Sequence, residues 1–427
     1  MAVRELPITP AARPLNASIR PPGSKSITNR AMLLAAMAPG TSRIAGALAS
    51  DDTQVMAAAL HALGFALTLD HPAGMIVVNG RGGEIPSHEA DLNAGDAGTA
   101  MRFLAGFLTL GRGRYRLDGS ERMRQRPIRA LLAALRQLGL EAAGERGDDC
   151  PPIIIRPRAD RFPGGRATID ATLSSQFVSA LLMPAPLWRD GLELEVIGDT
   201  ARPFVTMTLA LMERWGARSA VKGDGRIVVG GGQAYQARDF AVEPDATAAS
   251  YFAAAAALVG GAVRIRDLRR DSVQGDLAFL DLLQQMGADV RWRSDAVEVV
   301  GTGNLRGIDA TMSDIPDTVP TLAAIAPFAS SPTRIRGVGF IRHHESDRLH
   351  ALATELRRIG AAVEEFEDGL GIAPSHLQPA TIATYNDHRL AMAFAVAGLK
   401  LAGIRIANPG CVSKTYPDFF RDLNAIC

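Results

Sequence analysis

The chain has 427 residues, 47% of them hydrophobic, and this length favours two or three domains with separate cores over a single domain. Its 46 basic and 45 acidic residues nearly cancel, so the overall charge does not predict binding to nucleic acid or to an acidic membrane. The N-terminal segment lacks the apolar core of a signal peptide, and the longest apolar run, residues 251–263, is shorter than a membrane span. We therefore expect a cytoplasmic protein with neither kind of partner.

Cysteine and lysine are both scarce. Three scattered cysteines are too few for a disulfide framework or a zinc site, and we expect neither a metal nor an organic cofactor. Only four of the basic residues are lysines, and two of them, Lys25 and Lys414, lie in polar loops. A lysine can exchange a proton where an arginine stays charged. The small number of lysines, taken alone, is explained more simply by the chance retention of a few lysines in an arginine-rich chain.

The same succession of segments recurs six times along the chain: a polar start, an apolar helix, a strand, an amphipathic helix that ends near glycine, and two short strands. The polar starts are 70 to 76 residues apart, and such regular spacing is typical of a repeat architecture. A glycine just after a helix of 3.6-residue periodicity indicates a C-cap. The polar starts fall at Ser26, Gly98, Ser174, Asp245, Asp317 and Asp387.

Each repeat mixes strands with helices, which predicts an α/β fold with three repeats in each of two lobes. The junction falls just before the fourth polar start. We predict one lobe over residues 21–242 and a second over residues 1–20 and 243–427, so that the chain crosses between lobes twice. The sixth repeat lacks its final strands, and we predict that the stretch from Ile8 to Arg20 supplies the missing strand.

The polar starts place small or capping residues directly before apolar helices. A helix N-terminus offers unpaired N–H groups and the positive end of the helix dipole, and both favour an anion. Simple helix capping is the alternative for Thr99, Ser174 and Asp245. The loop GSKS lacks the adjacent Gly-Lys of a P-loop, with Ser18 in place of its first glycine, and no GxGxxG follows a strand. We therefore expect phosphate and carboxylate binding without nucleotide chemistry.

Clusters of cations stand near these starts in RMRQRP, IRHHESDR, DHR and SKTYPDFF. A solvated face is the alternative for the run from Arg122 to Arg126. Arg126 precedes Pro127 at a predicted helix start, where the dipole disfavours a cation unless an anion lies between them. This position favours a binding role for Arg126.

The motifs PGSKSITNRA, AGTAMR, ERMRQRP, SSQF, DATAASYF, IPD, ESDRL, YNDHRLAM and KTYPDFF follow one another along most of the chain. In order and rough spacing they resemble the 5-enolpyruvylshikimate-3-phosphate synthase family of enolpyruvyl transferases. The resemblance implies an inside-out α/β barrel in two lobes, built from six βαβαββ repeats. It also implies an enzyme of the shikimate pathway in aromatic amino acid biosynthesis, which we expect to act as a monomer.

By this resemblance, shikimate 3-phosphate and phosphoenolpyruvate bind between the lobes, the 5-hydroxyl adds to C2 of the enolpyruvate, and phosphate leaves. Both substrates are anions, so cations and hydrogen-bond donors must converge on them. The implied shikimate 3-phosphate residues are Lys25, Ser26, Arg30, Ser174, Ser175, Gln176, Asp317 and His344. The implied phosphoenolpyruvate residues are Lys25, Gly98, Arg126, Gln176, Arg348, Arg389 and Lys414.

The reaction removes a proton from a hydroxyl and adds, then removes, one at the C3 methylene, and two carboxylates suit these transfers. By the resemblance, Asp317 contacts the 5-hydroxyl and Glu345 handles the methyl proton with the assistance of Lys25. Asp317 as a helix N-cap, and Glu345 as an ion-pair partner of Arg348 three residues later, are the structural alternatives.

Several positions depart from the family pattern. His344 stands where a lysine commonly reaches the shikimate phosphate, and Asp96 stands where asparagine is usual. In GDTARPFVTM, Ala201 and Phe204 replace a common serine and tyrosine. These departures bear on the contacts to shikimate 3-phosphate.

Two alternative functions remain open at this stage. The sister family transfers enolpyruvyl to UDP-N-acetylglucosamine and carries a reactive cysteine in a loop whose equivalent here, DGSERMRQRPI, has none. A non-catalytic phosphometabolite-binding protein would need the anion-binding residues but neither Asp317 nor Glu345.

Overall fold

A computed structural model describes residues 5–157, 162–198 and 201–427. The chain forms two compact units, the central unit Gly23–Val242 and the terminal unit, which combines Met1–Pro22 with Glu243–Cys427. Asp199 and Thr200 of the segment GDTARPFVTM lie outside the described residues, as do residues 1–4 of the predicted second lobe. No helix in the described part of the chain is both long and apolar enough to cross a membrane.

Short strands make up the sheets of both units. In chain order they are β1 Glu5–Pro7, β2 Leu15–Ile19, β3 Pro39–Ala45, β4 Ala66–Asp70, β5 Met75–Arg81, β6 Glu89–Asn93, β7 Arg114–Asp118, β8 Glu141–Gly144, β9 Ile153–Arg156, β10 Gly165–Asp170, β11 Leu192–Ile197, β12 Ser219–Val221, β13 Ile227–Val229, β14 Asp239–Ala241, β15 Gly261–Arg266, β16 Asp289–Trp292, β17 Ala296–Gly301, β18 Asp309–Thr311, β19 Thr333–Arg336, β20 Ala362–Phe366, β21 Gly369–Ala373, β22 Thr381–Ile382 and β23 Arg405–Ala407.

The α-helices alternate with these strands. They are α1 Lys25–Met37, α2 Asp51–Ala62, α3 Gly98–Phe107, α4 Arg129–Gln137, α5 Gln176–Leu182, α6 Arg202–Arg214, α7 Ala246–Val259, α8 Phe279–Gln285, α9 Val319–Ile325, α10 Arg348–Arg358, α11 His388–Gly398 and α12 Phe419–Ala425.

The central unit contains three four-stranded sheets with one common strand order. In the middle sheet, β6 runs parallel to β7, β7 runs antiparallel to β9, and β9 runs antiparallel to β8. The first sheet borrows β14 from the far end of the unit, which lies parallel to β3 and takes the place of a first strand. The three orders are β14-β3-β5-β4, β6-β7-β9-β8 and β10-β11-β13-β12.

The terminal unit repeats this order in its sheets β16-β17-β15-β2 and β18-β19-β21-β20, and the described strands of its last sheet are β1-β23-β22. In the second, third, fifth and sixth repeats the first helix follows the first strand, and the first and fourth repeats take their first strand from elsewhere in the chain. In every repeat the second helix follows the second strand. The six βαβαββ repeats predicted from the sequence are therefore confirmed, with a shortened sixth repeat.

The prediction that the stretch from Ile8 to Arg20 completes the sixth repeat is wrong. Strand β1, Glu5–Pro7, pairs antiparallel with β23 in the sixth sheet, whereas β2, Leu15–Ile19, runs parallel to β15 in the fourth sheet. The fourth repeat begins directly at its first helix after Val242 and so has no first strand of its own. The edge of its sheet is therefore also open to a strand from elsewhere in the chain. Strand periodicity does not indicate which of two open edges a segment joins, because both pairings bury the same alternate side chains.

The first helix of each repeat is buried almost all round, and we call α1, α3, α5, α7, α9 and α11 the inner helices. Every residue of α11 is buried, and α7 is buried along nearly its whole length. Their many alanines let neighbouring helices pack closely without voids. The starts of the inner helices, where many of the predicted site residues lie, are thus held by the cores of the two units.

Candidate active site

In the central unit, Arg30 ties together the starts of three inner helices. Its Nε donates to Thr208 Oγ1 at 2.8 Å, its Nη2 donates to Ser179 Oγ at 3.3 Å, and its Cζ lies 4.8 Å from the centroid of the Phe103 ring. Ser179 and Phe103 each lie about one turn after the start of their own helix, α5 and α3. The N-termini of α1, α3 and α5 therefore lie at the same end of this unit.

Most of the Arg30 donors are used inside the protein. Besides the two hydroxyls, the guanidinium group donates to the carbonyl oxygens of Ser26 at 3.0 Å and of Phe204 at 3.2 Å. Burial lowers the pKa of Arg30 to about 9. Phe204, which departs from the family pattern, meets Arg30 through its backbone. Binding of shikimate 3-phosphate by Arg30 and Ser26 stays a prediction.

Lys25 begins α1, and its ammonium group faces a buried carboxylate. Lys25 Nζ lies 3.1 Å from Asp52 Oδ2, and the exposed fractions of the two side chains are 12% and 4%. Asp52 lies in the first turn of α2, where an acidic side chain also suits the helix dipole. Asp52 could not be predicted from the sequence, because no local pattern connects it with Lys25.

Gly98 begins α3 and has two guanidinium groups against it. A Cβ atom at Gly98 would lie 3.0 Å from the nearest guanidinium nitrogens of both Arg102 and Arg126. Arg102 Nη1 also donates to the Gly98 carbonyl oxygen at 3.3 Å, and both arginine residues are buried. Two cations at the positive end of a helix attract an anion. Arg126 is among the residues predicted from the sequence, whereas Arg102, in the motif AGTAMR, is not.

The remaining predicted residues of this unit stand at the start of α5. Ser174 Oγ accepts a hydrogen bond from the Gln176 amide at 3.2 Å, but the residue at the N-cap position of α5 is Ser175, whose side chain makes no cap hydrogen bond. Ser175 is buried and Gln176 is half-buried. They therefore place hydroxyl and amide groups at the end of the unit where α1 and α3 also begin. Asp96, a departure from the family pattern, lies in the loop before α3 and accepts a hydrogen bond from the hydroxyl of Ser120, which follows β7.

In the terminal unit, Arg348 joins three carboxylates. It begins α10, and its side chain is 1% exposed. Its Nε donates to Asp387 Oδ2 at 2.8 Å, its Nη1 to Asp317 Oδ1 at 3.2 Å, and its Nη2 to Glu345 Oε2 at 2.8 Å. Burial alone would lower the pKa of Arg348, but the three carboxylates outweigh burial and raise it.

Two more cations complete this arrangement. Arg389 Nη2 donates to Asp317 Oδ2 at 2.6 Å, and Lys414 Nζ donates to Glu345 Oε1 at 2.9 Å. Burial lowers the pKa of Arg389, but the charge of Asp317, with smaller contributions from Tyr251 and Asp276, outweighs burial and raises the pKa overall. Three cations thus face three carboxylates. We call this set the Arg348 cluster; its members are Asp317, Glu345, Arg348, Asp387, Arg389 and Lys414.

Asp245 and Asp317 have different roles, the first as a helix cap and the second as a member of the Arg348 cluster. Asp245 is an N-cap, because its Oδ1 accepts from the Ala248 amide at 2.8 Å. The N-cap interpretation of Asp317 is wrong: it lies in the 3₁₀ turn Pro316–Thr318, and the described contacts of its carboxylate are those with two guanidinium groups. The expected ion pair between Glu345 and Arg348 is confirmed.

His344 lies beside the Arg348 cluster. Its Nδ1 is 3.0 Å from Arg348 Nη1, and its ring packs edge-on against Phe340. Since a guanidinium group only donates, Nδ1 accepts, which places the proton of the neutral ring on Nε2. The neighbouring His343 is exposed. A contact between His344 and the shikimate phosphate stays a prediction.

Asp387 is one of the predicted polar helix starts but not one of the predicted site residues. Its Oδ1 accepts from the Arg389 amide at 3.0 Å, while its Oδ2 accepts from Ser346 and Arg348. The regular repeat spacing was the available signal for this residue. Within the described ranges, no group of three or more histidine, cysteine, aspartate or glutamate side chains could hold a metal ion.

Comparison with known proteins gives one consistent match. Residues 10–423 match the model of a family described as EPSP synthase (3-phosphoshikimate 1-carboxyvinyltransferase). The chain is 47% identical over 409 residues to a 3-phosphoshikimate 1-carboxyvinyltransferase of Trichormus variabilis, covering 96% of each chain, and 44% identical over 419 residues to one of Edwardsiella ictaluri, covering 97% of each. A solved EPSP synthase from Acinetobacter baumannii superposes with a TM-score of 0.82 at 25% identity, over 99% of this chain and 98% of that one.

Proposed function

Because the chain belongs to the EPSP synthase family, we propose that it transfers the enolpyruvyl group of phosphoenolpyruvate to the 5-hydroxyl of shikimate 3-phosphate and releases phosphate. The observation that carries this proposal is the Arg348 cluster, in which Asp317 and Glu345 share one buried guanidinium group. Two carboxylates beside clustered cations suit an addition followed by an elimination on an anionic substrate.

In the addition step, Asp317 accepts the proton of the 5-hydroxyl while the hydroxyl oxygen attacks C2 of phosphoenolpyruvate. Lys25 gives a proton to the C3 methylene, which becomes a methyl group. The product of this step is a tetrahedral intermediate with four single bonds at C2. Arg389 and Lys414 hold Asp317 and Glu345 in place through ion pairs, and proton transfer requires groups held in position.

In the elimination step, Glu345 removes a proton from the C3 methyl group, the C2–C3 double bond re-forms, and the bond from C2 to the phosphate oxygen breaks. Phosphate leaves as the second product. The proposed phosphoenolpyruvate residues are Lys25, Gly98, Arg126, Gln176, Arg348, Arg389 and Lys414. The proposed shikimate 3-phosphate residues are Lys25, Ser26, Arg30, Ser174, Ser175, Gln176, Asp317 and His344.

A phosphate-release assay tests the proposal. We expect phosphate to appear with phosphoenolpyruvate plus shikimate 3-phosphate and to stay at background when the acceptor is omitted. Release with UDP-N-acetylglucosamine but not with shikimate 3-phosphate would replace the proposal with the sister activity. Binding of both anions without phosphate release would indicate a non-catalytic binding protein.

Asp317→Asn and Glu345→Gln assign the two carboxylates, because each substitution removes a base while keeping a side chain of the same shape. Each variant should lose about 100-fold or more in kcat, as expected when a positioned acid–base group is removed. Unchanged turnover in either variant would exclude the proton transfer assigned to that residue.

We further propose that the enzyme acts as a monomer in the cytoplasm, without a nucleic-acid or membrane partner. The near balance of basic and acidic residues supports the absence of these two kinds of partner. Light scattering during turnover conditions measures the mass directly, and a mass of twice 45.2 kDa would contradict the monomer.

A further inference from the structure

Glu355 is a fully buried carboxylate on α10 that lies outside the Arg348 cluster. Its side chain is 0% exposed. Oε2 accepts from the Ala383 amide at 3.0 Å, and Oε1 accepts from the Tyr385 hydroxyl at 2.9 Å. Arg358, one turn later on the same helix, donates to both oxygens at 2.8 and 3.3 Å. Two of the four contacts of Glu355 therefore fasten one short loop.

That loop, residues 383–386, has an unfavourable backbone conformation. Tyr385 and Asn386 are consecutive left-handed residues, with φ angles of 53° and 56°. Side chains with a Cβ atom rarely adopt this region, so the surroundings must hold them there. The Asn386 side chain also accepts from Asn408 Nδ2 at 3.2 Å. Glu355 is thus one of the groups that stabilise a strained segment.

The loop leads directly into the Arg348 cluster. The Asp387 amide donates to the Thr384 carbonyl oxygen at 2.7 Å, and α11 begins at the next residue. Asp387 then binds Arg348 and caps the helix that carries Arg389. Arg348 and Glu355 lie seven residues apart, two turns along α10. The same helix therefore holds two points of this segment: Glu355 holds the loop, and Arg348 holds the carboxylate of Asp387.

We propose that Glu355 is a positioning residue for phosphoenolpyruvate: it holds residues 383–386 so that Asp387 and Arg389 keep their places relative to Arg348. Glu355 makes no contact with the substrate in this role and acts through the loop and Asp387. The inference rests on the proposed function, because it uses the assignment of Arg348 and Arg389 to phosphoenolpyruvate.

The test compares three single variants. Glu355→Gln should raise the KM for phosphoenolpyruvate about 10- to 100-fold, because small displacements of binding groups have effects of this size. Tyr385→Phe removes a single contact and should give a smaller change in the same direction. Arg358→Gln is the matched control, since it removes an ion pair from the same carboxylate but leaves the loop contacts, and it should stay near the wild type. The KM for shikimate 3-phosphate should change far less in all three.

Hydrogen exchange of the peptide spanning residues 380–392 gives a readout that does not depend on activity. Exchange should increase in Glu355→Gln and Tyr385→Phe, whereas Arg358→Gln should match the wild type. Faster exchange with an unchanged KM for phosphoenolpyruvate would reduce Glu355 to a structural role and overturn the inference, as would unchanged exchange. If Glu355→Gln does not fold, Tyr385→Phe decides by the same criteria.

A failure of the proposed function is recognised separately, because the wild type would then show no turnover. In that case calorimetric binding of phosphoenolpyruvate in the presence of shikimate 3-phosphate decides the inference. The affinity must still fall in Glu355→Gln and stay unchanged in Arg358→Gln; equal affinities in wild type and Glu355→Gln would overturn it.

Discussion

The ammonium group of Lys25 is held in a fixed orientation, because it faces the buried carboxylate of Asp52 at 3.1 Å. Lys25→Arg keeps the charge but replaces a compact proton donor with a planar group that does not release its proton. We expect kcat to fall about 100-fold or more, as for the loss of a general acid. Lys222→Arg is the control, because Lys222 is exposed and should tolerate the change. Near-normal turnover in Lys25→Arg would leave Lys25 with a purely electrostatic role.

Gly98 allows two guanidinium groups to approach the start of α3. In Gly98→Ala the new Cβ atom would lie 3.0 Å from the guanidinium nitrogens of Arg102 and Arg126, so these flexible side chains must shift. We expect a protein that folds, with a KM for phosphoenolpyruvate raised about tenfold, since the displacement changes binding geometry. Steady-state kinetics with varied phosphoenolpyruvate measure this. Gly223→Ala is the control, because a Cβ atom there would meet nothing within 4 Å. Equal effects in the two variants would contradict this account.

At the scale of elements, the turn Gly275–Ala278 packs a buried carboxylate, Asp276, against the first turn of α7, where Thr247 donates to it. Burial, and next the charge of Asp317, raise the pKa of Asp276 to about 7, against the opposing effects of Thr247 and Arg389. Asp245, the N-cap of α7, adds to the increase. The fold therefore keeps a proton on this carboxyl group at a pH where the unfolded chain has lost it.

The sign of the resulting pH dependence follows from linkage. Between about pH 4 and pH 7 the folded state binds one more proton than the unfolded state, so Asp276 makes the wild type less stable as pH rises through this window. In Asp276→Asn the penalty is absent. As pH rises from about 4 to 7, we expect the free energy of unfolding of the variant to increase by a few kcal/mol relative to that of the wild type. Above about pH 7 this difference should stay constant. Urea unfolding at a series of pH values measures the difference.

Asp118 provides a control, because its pKa is shifted in the opposite direction to that of Asp276. Its hydrogen bonds from Arg124 hold its pKa at about 2, so its contribution is present above the unfolded pKa near 4 and is lost as pH falls towards 2. Between pH 5 and 7, Asp118→Asn should show a constant stability difference from the wild type. A constant difference for Asp276→Asn as well would show that Asp276 is ionised in the folded protein.

At the scale of the whole molecule, the two units differ in how their sheets are completed. All strands in the sheets of the central unit lie within Gly23–Val242, whereas the terminal unit takes β1 and β2 from the other end of the chain. We predict that residues 23–242 expressed alone fold cooperatively, and that residues 243–427 alone do not, because two of their sheets would keep open edges. Thermal unfolding followed by circular dichroism measures both.

A peptide of residues 1–22 supplied in trans is the corresponding control. It should give the fragment 243–427 a cooperative unfolding transition whose melting temperature rises with peptide concentration, since the peptide binds only the folded form. It should have no effect on the fragment 23–242. Cooperative unfolding of 243–427 without the peptide would contradict the role given to β1 and β2.

Much of the fold was predictable because its signals are local. A polar cap, an apolar helix and a glycine that ends the second helix lie close together in sequence, so six repeats at regular spacing could be recognised. The same local signals located Lys25, Gly98 and Gln176, each of which begins an inner helix. The assignment of β2 failed, because two sheets offered an open edge and periodicity does not choose between them.

Residue types and their motifs were thus readable from the sequence, whereas the partners of those residues were not. Arg348 and Asp387 are 39 residues apart, and Lys25 and Asp52 are joined only because α2 packs back against α1. The chain encodes which side chain begins each helix through local capping and periodicity. Which carboxylate meets which cation depends on how the inner helices pack, a property of long-range contacts that no short segment contains.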